Sequence, residues 1–121
     1  MPDAATGPAA APSVPERLRV GDVLLDRAAH RVTVRGHAVV LALQEFRLLD
    51  LLMANADHVV ASPIILETLW GHGFSGDPGT VAVHILRLRR KLEREPGASR
   101  HLRTVRGIGY VFDTEPVDPE D

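Results

Sequence analysis

The sequence predicts an α+β domain in which an antiparallel sheet precedes three helices and a β-hairpin ends the fold. Short β-like runs, separated by breaks of two to four residues, occupy residues 18–41. Helical patterns of apolar residues fill residues 43–94. Two further β-like runs, at 102–105 and 110–112, flank the glycine-containing tip Arg106–Gly109, which indicates a hairpin.

The N-terminal sheet is predicted from four runs that alternate with turn-compatible residues. The runs are Leu18 to Val20, Val23 to Asp26, Arg31 to Val34 and His37 to Leu41. Because the breaks between them are short, we expect neighbouring runs to pair in the antiparallel sense. Residues 1–16, which contain five alanines and four prolines, are predicted to be a disordered tail or linker.

The helical region divides into three predicted helices. The first, Leu43 to Asn55, is apolar around most of its circumference, which is typical of a central buried helix. Its start is weakly signalled, because Ala42 has no capping oxygen to match Glu45. The second helix is expected to take Ser62 as its N-cap and to run to Trp70.

The third helix, at about residues 79–94, is predicted to begin between Asp77 and Thr80 and to end before Pro96. Four aliphatic residues share one face and should pack on the core: Val81, Ile85, Leu88 and Leu92. The opposite sector is mostly polar and basic, and it carries Thr80, Val83, His84, Arg87, Arg90, Lys91 and Arg94.

Basic charge is concentrated around this helix. The chain has 121 residues and a formal net charge of −2, yet residues 80–106 carry eight basic and two acidic side chains. Residues 107–121 carry no basic and five acidic side chains, and residues 114–121 are predicted to be a disordered acidic tail. The basic excess is typical of a surface that binds a polyanion, although a solvated helix face is the alternative.

Several other classes of function find little support. The absence of cysteine excludes disulfides, thiolate zinc sites and cysteine nucleophiles. The histidines have no i, i+4 spacing on a helix and no carboxylate cluster beside them, so neither a metal nor a cofactor is expected. Gly73–Asp77 lacks the last glycine of a nucleophile elbow, and no catalytic residue is predicted. With no membrane-length apolar run and no export signal, the protein is expected to be soluble and cytoplasmic.

The third helix has the features of a helix that reads DNA. An α-helix fits the major groove of B-DNA, and Val83 on the exposed sector is suited to contact with a thymine methyl group. Arg87, one turn later, can reach base edges or phosphates with its planar donor group. Arg90, Lys91 and Arg94 extend the positive charge toward the phosphate backbone.

The terminal hairpin adds an independent signal. Arg106 stands beside a Gly-x-Gly tip, so its side chain can enter a narrow and strongly negative minor groove. Taken alone, it could equally be an arginine on an exposed turn. The helix and the hairpin together favour a winged helix-turn-helix fold.

Four segments also carry a resemblance to a known family. They are LALQEFRLLDLL (41–52), ILETLWG (65–71), TVAVHILRLRRKLE (80–93) and TVRGIGYVF (104–112). Over about residues 18–113 the chain resembles the DNA-binding effector domain of OmpR/PhoB-type bacterial response regulators. The resemblance implies a four-stranded N-terminal antiparallel sheet, a three-helix core and a C-terminal wing, which together place the winged-helix domain at residues 17–113.

The resemblance also implies contacts with double-stranded DNA and with protein partners. Val83 and Arg87 would touch bases in the major groove, and Arg106 would enter the minor groove. Phosphate contacts are implied for Thr80, His84, Arg89, Arg90 and Thr104, although His84 could instead be a half-buried residue at the helix margin. A loop facing RNA polymerase is implied at His72, Phe74, Ser75 and Asp77. Since members of the family bind direct repeats, a head-to-tail dimer on DNA is expected.

The chain departs from the family pattern on the third helix. Gly79, Ala82 and Leu86 stand where family members often have arginine, aspartate and arginine or lysine, so we expect a different DNA sequence to be read. An upstream receiver domain is also implied, so the chain is an excised effector domain, a stand-alone regulator or the remainder of another fusion. The prediction is a DNA-binding transcriptional regulator that is not an enzyme. The alternative is a winged-helix module that binds a protein and makes no use of Arg87 and Arg106.

Overall fold

The computed structural model describes residues 16–71, 78–93 and 101–115. Its elements are four strands, a helix, a short strand, two helices and two final strands. This architecture confirms the predicted α+β winged-helix fold. The predictions outside the described residues concern the linker at 1–15, the loop residues His72, Phe74, Ser75 and Asp77, the helix residue Arg94, and the tail from residue 116.

The N-terminal sheet consists of four strands that pair antiparallel in chain order. They are β1 (Arg17–Val20), β2 (Val23–Asp26), β3 (Arg31–Val34) and β4 (His37–Val39). Alternate residues face inward, and the buried ones are Val20, Val23, Leu25, Val32 and Val34. Strand β4 is two residues shorter than predicted. His30, opposite Leu41 in this register, has a φ of 56°, so β3 offers Leu41 no extended partner.

Helix α1 (Leu43–Ala54) lies at the centre of the core, as its apolar circumference predicted. Its buried apolar residues are Phe46, Leu48, Leu49, Leu52 and Met53. Although Ala42 supplies no capping oxygen, the carboxylate of Glu45 accepts a hydrogen bond from the Ala42 N–H over 2.8 Å. This is the half of a capping box that depends on the third helical residue.

Helix α2 (Ser62–Trp70) begins one residue earlier than predicted, because the preceding strand runs directly into it. Strand β5 (Val60–Ala61) places Ala61 at the N-cap, so the prediction that Ser62 is the N-cap was wrong. The Ser62 N–H instead donates to the carbonyl oxygen of Ile108 over 3.0 Å. The start of α2 is therefore tied to the terminal hairpin.

The remaining elements are α3 (Pro78–Leu92), β6 (Leu102–Val105) and β7 (Gly109–Phe112). Strand β7 pairs with β6 on one side and with β5 on the other, which gives a three-stranded antiparallel sheet. Helix α3 packs against both α1 and α2. In the described part of the chain, no helix combines the length and apolar character that a membrane crossing requires.

Candidate nucleic-acid interface

The candidate interface is built on α3. The buried residues of this helix determine which of its sides is exposed to solvent. Each of the four predicted stripe residues, Val81, Ile85, Leu88 and Leu92, is at most 1% exposed. Because these residues share one side, the opposite side of the helix is turned toward solvent. The exposed residues of this helix are Gly79, Ala82, Val83, Leu86, Arg87 and Arg90.

Both residues predicted to contact bases lie on this outward side. The side chain of Val83 is 44% exposed, although it is apolar, and Arg87 is exposed one turn later. Residues four apart are neighbours on a helix surface, so the two side chains form one accessible patch. Arg90 is also exposed, and residues 78–92 contain no acidic side chain.

One margin of α3 is held against α2. The Nδ1 of His84 donates to the carbonyl oxygen of Thr80 over 2.8 Å, and its ring meets Trp70 edge-on with centroids 5.0 Å apart. His84 and Thr80 are both half-buried. His84 therefore occupies the half-buried position that was the alternative interpretation, while its contact with a phosphate stays a prediction.

The other margin of α3 is tied to the hairpin. Nη2 of Arg89 donates to Oγ1 of Thr104 over 2.7 Å and to the carbonyl oxygen of Leu102 over 3.2 Å. Two predicted phosphate-contacting residues are thus bonded to each other. Since a guanidinium has five N–H donors, Arg89 can keep this link and still present donors to a phosphate. The link sets the position of β6 relative to the helix.

Lys91 has a buried partner that the sequence did not indicate. Its Nζ lies 2.6 Å from Oε1 of Glu45, whose side chain is only 5% exposed. Burial raises the pKa of the Glu45 carboxyl, but hydrogen bonds from Lys91 and the Ala42 N–H, together with the charges of Lys91 and Arg87, hold that pKa below its ordinary value. The charge of Lys91 is therefore largely neutralised by Glu45, and it adds little positive potential to the outward side of α3.

The hairpin presents Arg106 at its tip. Strands β6 and β7 are joined by a tight turn, in which the Ile108 N–H donates to the carbonyl oxygen of Val105 over 3.0 Å. Gly107, the third residue of this turn, has a φ of 76°, as a type II turn requires. Arg106 precedes it and is exposed. The position of this arginine is therefore set by a defined turn.

The second glycine of the hairpin has a different role. Gly109 lies against β5, and a Cβ atom there would collide with the carbonyl oxygen of Val60 and approach the Cα of Ala61 to 2.8 Å. Only glycine lets β7 come this close to β5. Gly107 permits the turn, whereas Gly109 allows the base of the hairpin to pack closely against β5.

An open groove of about 520 Å³ separates the N-terminal half of α3 from the hairpin. Much of its lining is small, with Gly79 and Ala82 on the helix side and Gly107 and Gly109 on the hairpin side. The sugar–phosphate backbone of DNA separates a major groove from the neighbouring minor groove. If α3 lay in the major groove and Arg106 in the minor groove, the open space between the helix and the hairpin would accommodate this backbone.

Three polar contacts at the far end of α2 were also missed by sequence reasoning. Arg47 of α1 donates to the carbonyl oxygens of Thr68 and Leu69 over 3.2 and 3.0 Å, and Gln44 donates to that of Leu69 over 3.1 Å. These are C-terminal carbonyls of the helix, where a positive charge is favourable. The contacts hold the end of α2 against α1, but no local pattern indicates a partner more than twenty residues away.

Comparison with known proteins agrees with this geometry. Residues 36–112 match the family model described as "Transcriptional regulatory protein, C terminal". The sensory transduction protein RegX3 of Mycobacterium leprae is 40% identical over 97 residues, which are 80% of this chain and 49% of that protein. The chain thus spans about half the length of this relative.

Solved structures show the same fold. The response regulator DrrB of Thermotoga maritima, an OmpR/PhoB homolog, matches with a TM-score of 0.71 and 32% identity over 81% of this chain and 44% of that chain. The RstA DNA-binding domain of Klebsiella pneumoniae, solved in complex with the RstA box, matches with a TM-score of 0.73 and 28% identity over 83% and 99% of the two chains. The resemblance seen in the sequence is thereby confirmed. The chain belongs to the family of OmpR/PhoB-type C-terminal domains of transcriptional regulatory proteins, a family of DNA-binding regulators.

Proposed function

We propose that this chain binds double-stranded DNA sequence-specifically, with α3 in the major groove and the β6–β7 hairpin in the adjacent minor groove. The observation that carries the proposal is the placement of Val83 and Arg87 on the solvent side of α3, across a groove from the hairpin that bears Arg106. An apolar residue and a planar cation are a combination that can distinguish base edges. Arg106 adds a contact that depends on the width of the minor groove.

We also propose phosphate contacts around these base-contacting residues, and the structure supports them to different degrees. Arg90 is exposed on the outward side of α3. Thr80 and His84 lie on one margin of the helix, and Arg89 lies on the other, where it donates a hydrogen bond to Thr104 of β6. Lys91 is expected to contribute less than the sequence indicated, because Glu45 already holds its ammonium group. Arg94 lies outside the described residues, and its proposed contact rests on the sequence.

We also propose a regulatory setting for this domain. The relatives are about twice as long as the matched region, which agrees with an upstream receiver domain in the whole protein. The family resemblance supports binding as a head-to-tail dimer on direct repeats and contact with RNA polymerase through the loop before α3. We also propose a cytoplasmic location. The domain is proposed to act by binding and not by catalysis.

Fluorescence anisotropy with duplexes enriched from a random pool would test DNA binding. If about five phosphates are contacted, log K should fall with log salt with a slope of roughly −4 to −5. Arg87→Ala and Arg106→Ala should each weaken binding by about tenfold or more, because each removes a charged donor from the groove. Arg87→Ala should also relax the sequence preference.

The matched control is Arg19→Ala, which removes an exposed arginine from β1 in the other sheet. This variant should bind as the wild-type protein does. A flat salt response, with the three variants indistinguishable from wild type, would refute DNA binding by this face. It would favour the alternative of a winged-helix module that binds a protein partner.

A further inference from the structure

Helix α3 exposes two large apolar side chains on the side opposite the core. Val83 is 44% exposed and Leu86 is 47% exposed. They are three residues apart and therefore adjacent on the helix surface. Gly79 and Ala82, exposed one turn earlier, are too small to shield them. We call these four residues the apolar strip.

The apolar strip adds nothing to the core of the isolated domain. Core packing by α3 is carried by its opposite face, where the side chains are almost completely buried. Much of the surface of Val83 and Leu86 can leave water only when another molecule covers it. The strip therefore indicates a ligand with apolar groups at this place.

The surroundings of the strip indicate the kind of ligand. Arg87 and Arg90 are exposed beside it, and no acidic residue occurs between positions 78 and 92. The strip is also continuous with the groove below the hairpin, since Gly79 and Ala82 line both. A polyanion that carries apolar groups fits this combination. In B-DNA the major groove provides such groups as the 5-methyl groups of thymine.

We propose that Val83 and Leu86 together contact thymine methyl groups on neighbouring base pairs, so that Leu86 determines specificity at one of them. The proposal rests on the proposed function, in which α3 lies in the major groove. Side chains three apart on a helix are separated by about 5–6 Å at Cβ, which spans one to two base-pair steps of about 3.4 Å. Gly79 and Ala82 allow the helix to approach closely, because neither carries a long side chain.

The test is to remove single methyl groups from the DNA. A high-affinity duplex is enriched with the wild-type protein, and each thymine is then replaced in turn by deoxyuridine, which keeps the base pair and loses only the 5-methyl group. Replacement at one or two neighbouring positions should weaken binding about three- to fivefold each, the effect of exposing one methyl-sized group. Replacement elsewhere should have little effect.

The protein variants assign the effect to a residue. Leu86→Ala should bind the thymine and deoxyuridine duplexes equally at one position, and Val83→Ala should do so at the neighbouring position. The control Leu43→Ala, which shortens an exposed leucine at the start of α1, should keep the wild-type ratios. Leu86→Ala should also melt within a few degrees of wild type, because the residue is outside the core.

The possible failures can be told apart. If the wild-type protein shows no salt-dependent binding to any duplex, the proposed function fails and this proposal fails with it. If it binds DNA but tolerates every deoxyuridine, the methyl contacts are refuted while DNA binding stands. If the sensitivity to deoxyuridine survives in Leu86→Ala and that variant instead loses binding to purified RNA polymerase, the strip is a protein-binding surface and the proposal is overturned.

Discussion

Gly109→Ala is expected to destabilise the domain by about 3 kcal/mol or more, which would lower Tm by roughly 12–24 °C. The added Cβ would collide with the carbonyl oxygen of Val60 and crowd the Cα of Ala61. Both are backbone atoms of a paired strand, so they cannot move aside as the end of a flexible side chain can. Strand β7 would have to separate from β5, and the hairpin would lose its attachment to the start of α2. Thermal unfolding followed by circular dichroism measures this effect.

The matched control is Gly107→Ala in the same hairpin. Gly107 has a φ of 76° but no heavy atom within 4 Å of a Cβ placed there, so the variant carries backbone strain without a collision. Left-handed backbone at a residue other than glycine costs about 1–2 kcal/mol, and we expect a correspondingly smaller fall in Tm. Equal melting temperatures for the two variants would contradict the close approach of β7 to β5.

Lys91→Met should destabilise the domain by about 2–3 kcal/mol at neutral pH. The substitution leaves the carboxylate of Glu45 buried and without its cation, and removing one partner of a fully buried pair typically costs about 3–5 kcal/mol. A smaller effect is expected here, because the side chain of Lys91 is 31% exposed. Urea denaturation at about pH 7 would give the difference in the free energy of unfolding.

The pH dependence of this variant has a definite sign. In the wild-type protein the pKa of Glu45 is lowered on folding, so its ion pair stabilises the domain above the unfolded-state pKa, and that contribution is lost as the pH falls through the folded-state pKa. Without Lys91, burial should dominate and raise the pKa of Glu45. The stability gap between the two proteins should therefore narrow as the pH is lowered from about 7 to about 4.

The double variant Glu45→Gln with Lys91→Met separates charge burial from packing. The glutamine keeps an oxygen that can accept the hydrogen bond from the Ala42 N–H, and it carries no charge. Its stability should recover most of the loss and should show little of the added pH dependence. A double variant as unstable as Lys91→Met would mean that lost packing, and not an unpaired carboxylate, caused the effect.

The sequence was most informative where structure depends on local pattern. The four-residue stripe of α3 predicted which of its side chains are buried, because the period of the helix determines the face on which each residue lies. The same stripe placed Val83 and Arg87 on the outward side. The ends of elements followed less from the local pattern, as at β4, where the conformation of His30 in the turn before β3 decides the end of the pairing.

The ion pair and the hydrogen bond that connect distant elements could not be predicted from the sequence, for a physical reason. Lys91 and Glu45 are 46 residues apart, and Arg89 and Thr104 are 15 residues apart on different elements. Their charges and donors are visible in the sequence, but their partners are decided by how the helices and the hairpin pack. Lys91 was consequently assigned to the DNA face, although its ammonium group lies against a buried carboxylate.

The pairing of β5 with β7 has a consequence for the order of folding. The N-terminal sheet joins strands that are adjacent in sequence, so it can form from local contacts early in folding. Strand β5 instead pairs with β7, and α2, α3 and β6 lie between these two strands in the chain. The loop-closure entropy of this contact delays the docking of the hairpin on β5, so we expect Arg106 to reach its final position after the helix that presents Arg87 has formed.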